Sequence, residues 1–162
     1  MDRLWAPWRI EYLRAPKEEG CIFCDKPAAD DDRKELILYR GEYSFILMNL
    51  YPYNNGHLML APYVHESDPL NIPVETKSEI MVLADASMEI LKSALKAEGF
   101  NFGANIGKAG GAGIADHLHY HLVPRWSGDT NFMPVLGHTK IVMEGLSETY
   151  DSLRPAFDKI DA

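Results

Sequence analysis

The run DHLHYHLVPR, Asp116 to Arg125, sets His117, His119 and His121 at every second position, with Leu118, Tyr120 and Leu122 between them. Side chains two apart in an extended strand share a face, so the spacing predicts three imidazoles in a row on one side and an apolar set on the other. One metal ion does not readily collect all three, because His117 and His121 lie about 13 Å apart along a strand and a zinc to nitrogen bond is far shorter. The two cysteines, Cys21 and Cys24, are separated by two residues, which suits a metal site or a redox pair better than a disulfide staple. They supply two of the four ligands of a tetrahedral site, and His117 and His65 are candidates for the others. Four protein ligands would make a closed, structural zinc site with no position for substrate.

His57, His119 and His121 are then left for chemistry. An imidazole can attack phosphorus and form a covalent intermediate that divides one hard displacement into two easier ones. Neighbouring imidazoles can donate to phosphoryl oxygens or protonate a leaving group. Just before the triad, Gly107, Gly110, Gly111 and Gly113 form a glycine-rich loop whose backbone N–H groups could cradle phosphates.

These residues need a scaffold. Leu36 to Arg40 and Ser44 to Asn49, split by Gly41, read as strands of a hairpin. His57 to Tyr63 follows as a third antiparallel strand, after a turn built from Pro52, Asn54, Asn55 and Gly56. From Val74 to about Glu98 the apolar residues Ile80, Leu83, Ala84, Met88, Leu91 and Leu95 fall on one helical face, and Gly99 can end that helix. Phe100 to Ile106 reads as a strand, Leu118 to Arg125 as the alternating histidine strand, and Ser147 to Phe157 as a second helix. Residues Pro27 to Glu35, with Asp30, Asp31 and Asp32, read as a solvated loop. Leu4 to Leu13, with Trp5, Pro7, Trp8 and Tyr12, reads as an aromatic arm lying across the domain or a partner subunit. Trp126 and Phe132 are expected in the core or an interface, Asp129 and Asn131 near the pocket, and His138 on the surface.

With 162 residues, 46% hydrophobic and 25% charged, the chain suits one compact domain and excludes disorder or a disulfide-held mini-protein. The parts expected are the arm at 1–20, a core at 21–135 and a C-terminal strand and helix extension at 136–162. The 16 basic against 24 acidic residues, net −8, argue against a nucleic-acid coat or an anionic-lipid binder. No stretch approaches a membrane span and the N-terminus does not read as a signal peptide, so a cytoplasmic location is expected.

The motif HLHYHLV from His117 to Val123 resembles the hallmark His-φ-His-φ-His-φ-φ of the histidine-triad (HIT) proteins. The likeness extends to LWAPWR at Leu4 to Arg9, CIFC at Cys21 to Cys24, Asn49 through GHLMLAPYVH ending at His65, and PRWSGDTNFMPV from Pro124 to Val135. It is greatest to the branch with bacterial diadenosine tetraphosphate phosphorylases and hydrolases. The resemblance implies an α+β fold, an antiparallel sheet with one long helix packed on it and a C-terminal helix, assembled as a homodimer. It implies His119 as nucleophile on an α-phosphate, with His121 and His57 binding phosphate or assisting the leaving group. Asn49 falls where the family places a ribose-binding acidic residue and Asn105 at a phosphate contact; of the loop glycines, Gly111 and Gly113 are expected to bind the nucleotide. Members with a CxxC pair hold zinc through residues matching Cys21, Cys24, His65 and His117. The chain departs from many relatives just before the triad, where Ile114 and Asp116 stand in a segment that elsewhere carries a hydroxyl for the leaving group. The function implied is cleavage of dinucleoside polyphosphates through a nucleotidyl-histidine, on adenine nucleotides. The alternatives are a nucleoside phosphoramidase, a nucleotidyltransferase of the galactose-phosphate uridylyltransferase type, or a non-catalytic nucleotide binder. Those transferases carry glutamine where this chain has His121.

Overall fold

A computed structural model describes residues 20–129 and 144–160. The aromatic arm, Asn131, Phe132, His138 and the expected strand after residue 135 lie outside the described residues. The elements in chain order are α1 (Ile22–Ala28), α2 (Asp32–Glu35), β1 (Ile37–Arg40), β2 (Ser44–Met48), β3 (Leu58–Pro62), a 3-10 turn (Pro69–Asn71), α3 (Val74–Leu95), β4 (Gly99–Gly103), β5 (Tyr120–Arg125) and α4 (Leu146–Phe157). The strands form one five-stranded sheet in the order β1-β2-β3-β5-β4, and every neighbouring pair is antiparallel. This is the α+β arrangement with an antiparallel sheet that the family resemblance implies.

The alternation along each strand divides the apolar residues between two layers. Ile46, Met48, Leu58, Leu60 and Leu122 face Ile80, Leu83, Ala84 and Leu91 of α3 and Tyr150, Leu153 and Phe157 of α4. Phe45, Leu47, Met59 and Ala61 point the other way and pack with Phe23 of α1. The central strands β2 and β3 are therefore buried along their whole length and read as continuous apolar runs. Because Leu122 belongs to the helix side, His121 and the histidines in register with it belong to the opposite face.

Strand β4 ends at Gly103, short of the expected Ile106, and three other boundaries differ from expectation, each for a local reason. Residues 27–35 are not one loop. Pro27 and Ala28 finish α1, and the acidic run builds α2, whose N-cap Asp31 accepts from the Lys34 N–H at 3.0 Å. Asp32 then pairs with Arg40 and Arg154, tying the segment to β1 and α4. Helix α3 ends at Leu95, not at Gly99. Lys96 takes the left-handed conformation there (φ 55°), and the Glu98 N–H already bonds Arg125 O at the start of the β4 ladder. Strand β5 starts at Tyr120, since the Leu118 N–H donates to Glu66 O (2.7 Å); His117 and His119 sit in the approach to the strand.

The hairpin β1–β2 is held by one residue of α3. The Glu79 carboxylate accepts from the backbone N–H groups of Glu42 (2.7 Å) and Tyr43 (3.0 Å) and from the Ser44 hydroxyl. Charge-assisted bonds of this kind contribute more than neutral ones. Glu79→Ala is expected to destabilise the fold by about 2 to 3 kcal/mol, read as a shift of the urea midpoint at unchanged m-value.

Candidate active site

The histidine row lies on the sheet face opposite α3, at its junction with α1. Phe23 stacks on the His119 ring at 4.6 Å between centroids and meets the His117 ring at 5.3 Å. Both imidazoles are nearly buried as a result. The His119 and His121 rings meet edge to face at 5.1 Å. The expectation that the imidazoles share one side thus holds for the row, although β5 itself contains only His121.

Hydrogen bonds fix the tautomers. His119 Nδ1 lies 2.9 Å from His117 O. A carbonyl only accepts, so Nδ1 carries the proton and the lone pair sits on Nε2. Burial lowers the His119 pKa, against the opposing pull of that hydrogen bond, and so favours the neutral, nucleophilic imidazole. At His57 the Tyr53 N–H donates to Nδ1 at 3.0 Å, and the Asn49 amide nitrogen lies 3.4 Å from the same atom. Asn49 is oriented for this by the Tyr51 N–H, which donates to its Oδ1 at 2.9 Å. Because Nδ1 accepts from the Tyr53 N–H, the His57 proton is on Nε2, which donates to His121 Nδ1 at 3.0 Å. His121 then carries its own proton on Nε2. His57 is buried behind His121, so it acts on the row through that bond.

Cys21, Cys24, His65 and His117 converge at the other end of the row, their ligand atoms all within 4.8 Å of one another. Sγ of Cys21 lies 3.3 Å from His117 Nδ1, and Sγ of Cys24 lies 3.3 Å from His65 Nδ1 and 3.6 Å from His117 Nδ1. Ordinary zinc bonds in a tetrahedron separate sulfur and nitrogen ligands by about 3.5 Å. His117 Nε2–H donates to Pro62 O (2.9 Å), which leaves Nδ1 as the ligating atom. Burial and the adjacent Cys21 push the Cys24 thiol up, so a cation is what would make two neighbouring thiolates favourable. The four residues fit a metal ion.

On the far side of His121, the open face of β4 and β5 floors a cleft of about 480 Å³. Asn101, Gly103 and Asn105 line it from β4 and its continuation, His121 and Arg125 from β5, and Tyr53 and Asn54 from the turn before β3. Asp129 closes one wall and pairs with Arg125 at 2.6 Å. Trp126 packs against the main core and donates from Nε1 to Leu95 O, as its expected core role requires. In the glycine-rich loop, the Gly110 and Gly111 N–H groups bond Gly107 O and Lys108 O, so both close the loop on itself. Gly111 has a positive φ of 86°, and Gly111 and Gly113 are exposed. Sequence reasoning missed Phe23, although the CIFC motif contains it, and the Tyr53 N–H, which side-chain patterns do not reveal.

A family model of the HIT domain matches residues 31–128. The chain belongs to the HIT family. Among similar HIT proteins, a Mycobacterium tuberculosis protein named AP-4-A phosphorylase is 35% identical over 157 residues, covering 92% of this chain and 80% of that protein. The adenosine 5'-monophosphoramidase of Saccharomyces cerevisiae is 29% identical over 111 residues, 68% of this chain and 66% of the yeast protein. The crystal structure of a zinc-bound histidine triad protein from Mycobacterium smegmatis superposes with a TM-score of 0.71 at 25% identity, covering 88% of this chain and 96% of that one. No helix among the described residues is long and apolar enough to cross a membrane.

Proposed function

We propose that this HIT protein cleaves dinucleoside polyphosphates, such as diadenosine tetraphosphate, at an α-phosphate. The observation that carries the reading is the tautomer of His119: a neutral imidazole with its Nδ1–H committed to His117 O and its lone pair on Nε2, beside the His121 ring. Nε2 attacks the α-phosphorus, a P–N bond forms, and the bridging P–O bond breaks with its electron pair leaving on the departing nucleotide. His121, with its Nε2 proton set by His57, donates to a phosphoryl oxygen or to the leaving oxygen. Asn105 and the Gly113 end of the loop support the phosphates, and Asn49 supports the ribose of the retained half. An acceptor oxygen then attacks the nucleotidyl-histidine and restores Nε2. The likeness to the AP-4-A phosphorylase supports adenine dinucleotides as the substrate class.

Cys21, Cys24, His65 and His117 hold zinc in this reading, a closed structural site that stiffens the approach to His119. The chain functions as a single-domain homodimer in the cytoplasm. Incubation with diadenosine tetraphosphate tests the activity: ATP appears with AMP if water is the acceptor, and with ADP if inorganic phosphate is required. Nucleotide binding without either product, and without a base-stable nucleotidyl-protein, would sink it. Adenosine 5'-phosphoramidate as a parallel substrate tests the activity for which the yeast relative is named.

A further inference from the structure

The cleft beside His121 is lined by polar groups whose orientations are fixed. Asp129 accepts from Arg125 Nε (2.6 Å) and Nη2 (2.9 Å), from Asn54 Nδ2 (2.9 Å) and from the Trp126 N–H (3.3 Å). Arg125 is thereby neutralised, so the end of the cleft beside Asn54 and Asn101 presents a paired cation, while Asn105 lies at the end toward the phosphates. Asn54 commits its amide nitrogen to Asp129 and to Pro124 O (3.0 Å), so the group it offers is its Oδ1 acceptor. Asn101 accepts from Arg125 Nη1 through Oδ1 (2.7 Å), so the group it offers is its amide donor. One acceptor and one donor, held in place on a neutral floor, suit the hydrogen-bonding edge of a heterocyclic base better than a phosphate.

Position says which base. The sheet order puts Asn49, after β2, and Asn101, on β4, on opposite flanks of the His57–His121 pair. At the other end of the row the cysteine and histidine cluster closes the path. A phosphate chain leaving His119 therefore runs past His121, and the face it meets carries Val123 paired with Asn101 and Arg125 paired with Gly99.

We propose that this cleft receives the departing half of the dinucleotide, a nucleoside 5'-triphosphate when the substrate is a tetraphosphate, and that Asn54 and Asn101 read the edge of its base. The proposal rests on the dinucleotide-cleaving reading above and adds a second nucleoside subsite to it. The native pair can take N1 and the 6-amino group of adenine or O6 and N1–H of guanine, whereas two acceptors match only the adjacent N1–H and 2-amino donors of guanine. Asn101→Asp exchanges the amide donor for an oxygen that only accepts, and it keeps a partner for Arg125 on an exposed position of an edge strand.

The test uses the full-length protein and a mixed substrate, adenosine tetraphosphoguanosine, either half of which can depart. The released triphosphate, GTP or ATP, reports which one did, whatever the acceptor. Both halves compete within one molecule, so the ratio does not depend on the amount of folded enzyme. Asn101→Asp is expected to raise the GTP to ATP ratio at least about fivefold over the unsubstituted protein. A shift in favour of ATP would place the retained nucleoside in the cleft and overturn the proposal. An unchanged ratio would show that the cleft reads no base and would also overturn it. Failure of the unsubstituted protein to cleave the substrate at all would instead remove the underlying activity, a distinguishable result.

Discussion

His119→Gly is expected to lower the turnover of diadenosine tetraphosphate by about 10⁴-fold or more, as the loss of a covalent nucleophile does elsewhere. Nucleotide affinity, measured by equilibrium binding, stays within about threefold, because binding rests on groups spread over both flanks of the row. The size of the first effect follows from geometry. Nδ1 of His119 is tied to His117 O, Phe23 covers the ring, and no other described imidazole combines a buried, neutral ring with a lone pair on Nε2. His57 and His121 are joined to each other by a hydrogen bond that sets both tautomers, and each carries its proton on Nε2. They act as donors. Removal of a ring stacked on Phe23 leaves a cavity, which costs some stability, so the variant is assayed well below its melting temperature. Added imidazole, which can enter that cavity, is expected to restore a measurable fraction of turnover. Normal turnover in the unrescued variant would remove His119 from the nucleophile position.

The sequence made the triad legible because extended backbone alternates its faces without tertiary information, even at His117 and His119, which lie just before the paired strand. Leu122 on the helix side and His121 on the open side follow from the period alone. The cysteine and histidine cluster was legible in part. Ligand chemistry says that Cys21 and Cys24 need two partners, but the choice of His65 and His117 depends on β3 and the approach to β5 ending beside α1, which is a fact of topology. Boundaries set by tertiary hydrogen bonds were not legible. Gly99 looks like a helix stop, yet Lys96 ends α3 because Glu98 must turn to pair with Arg125. The acidic run at Asp30 to Asp32 looks solvated, yet Asp31 caps a helix and Asp32 pairs with two arginines distant in sequence. The same holds in the site. Asn54 reads as a turn residue, and only the packing of that turn against Asp129 makes it part of a cleft.

Removal of the proposed metal is expected to weaken both stability and catalysis, in that order. The cluster joins α1, through Cys21 and Cys24, to the segment after β3, through His65, and to the approach to β5, through His117. A structural zinc with this donor set contributes folding free energy directly, because the unfolded chain does not present the four ligands together. If Cys24→Ser forfeits about 4 kcal/mol, a fraction of what such sites bind with, a chain of this length loses roughly 8 to 16 °C in Tm. The link to catalysis runs through His117. Its Nδ1 faces the thiols, its Nε2–H donates to Pro62 O, and its carbonyl accepts the proton that fixes the His119 tautomer. A His117 backbone released from the metal no longer holds that carbonyl in place, and kcat is expected to fall by about 10- to 100-fold, the range typical for loss of a supporting shell. Zinc content by mass spectrometry, Tm by calorimetry and kcat on diadenosine tetraphosphate should fall together in Cys24→Ser. A chelator-stripped protein that kept both its Tm and its rate would show that the four residues hold no metal that matters to the fold. A lower Tm with an unchanged rate, measured well below unfolding, would break the argument at the His117 carbonyl while leaving the structural site intact.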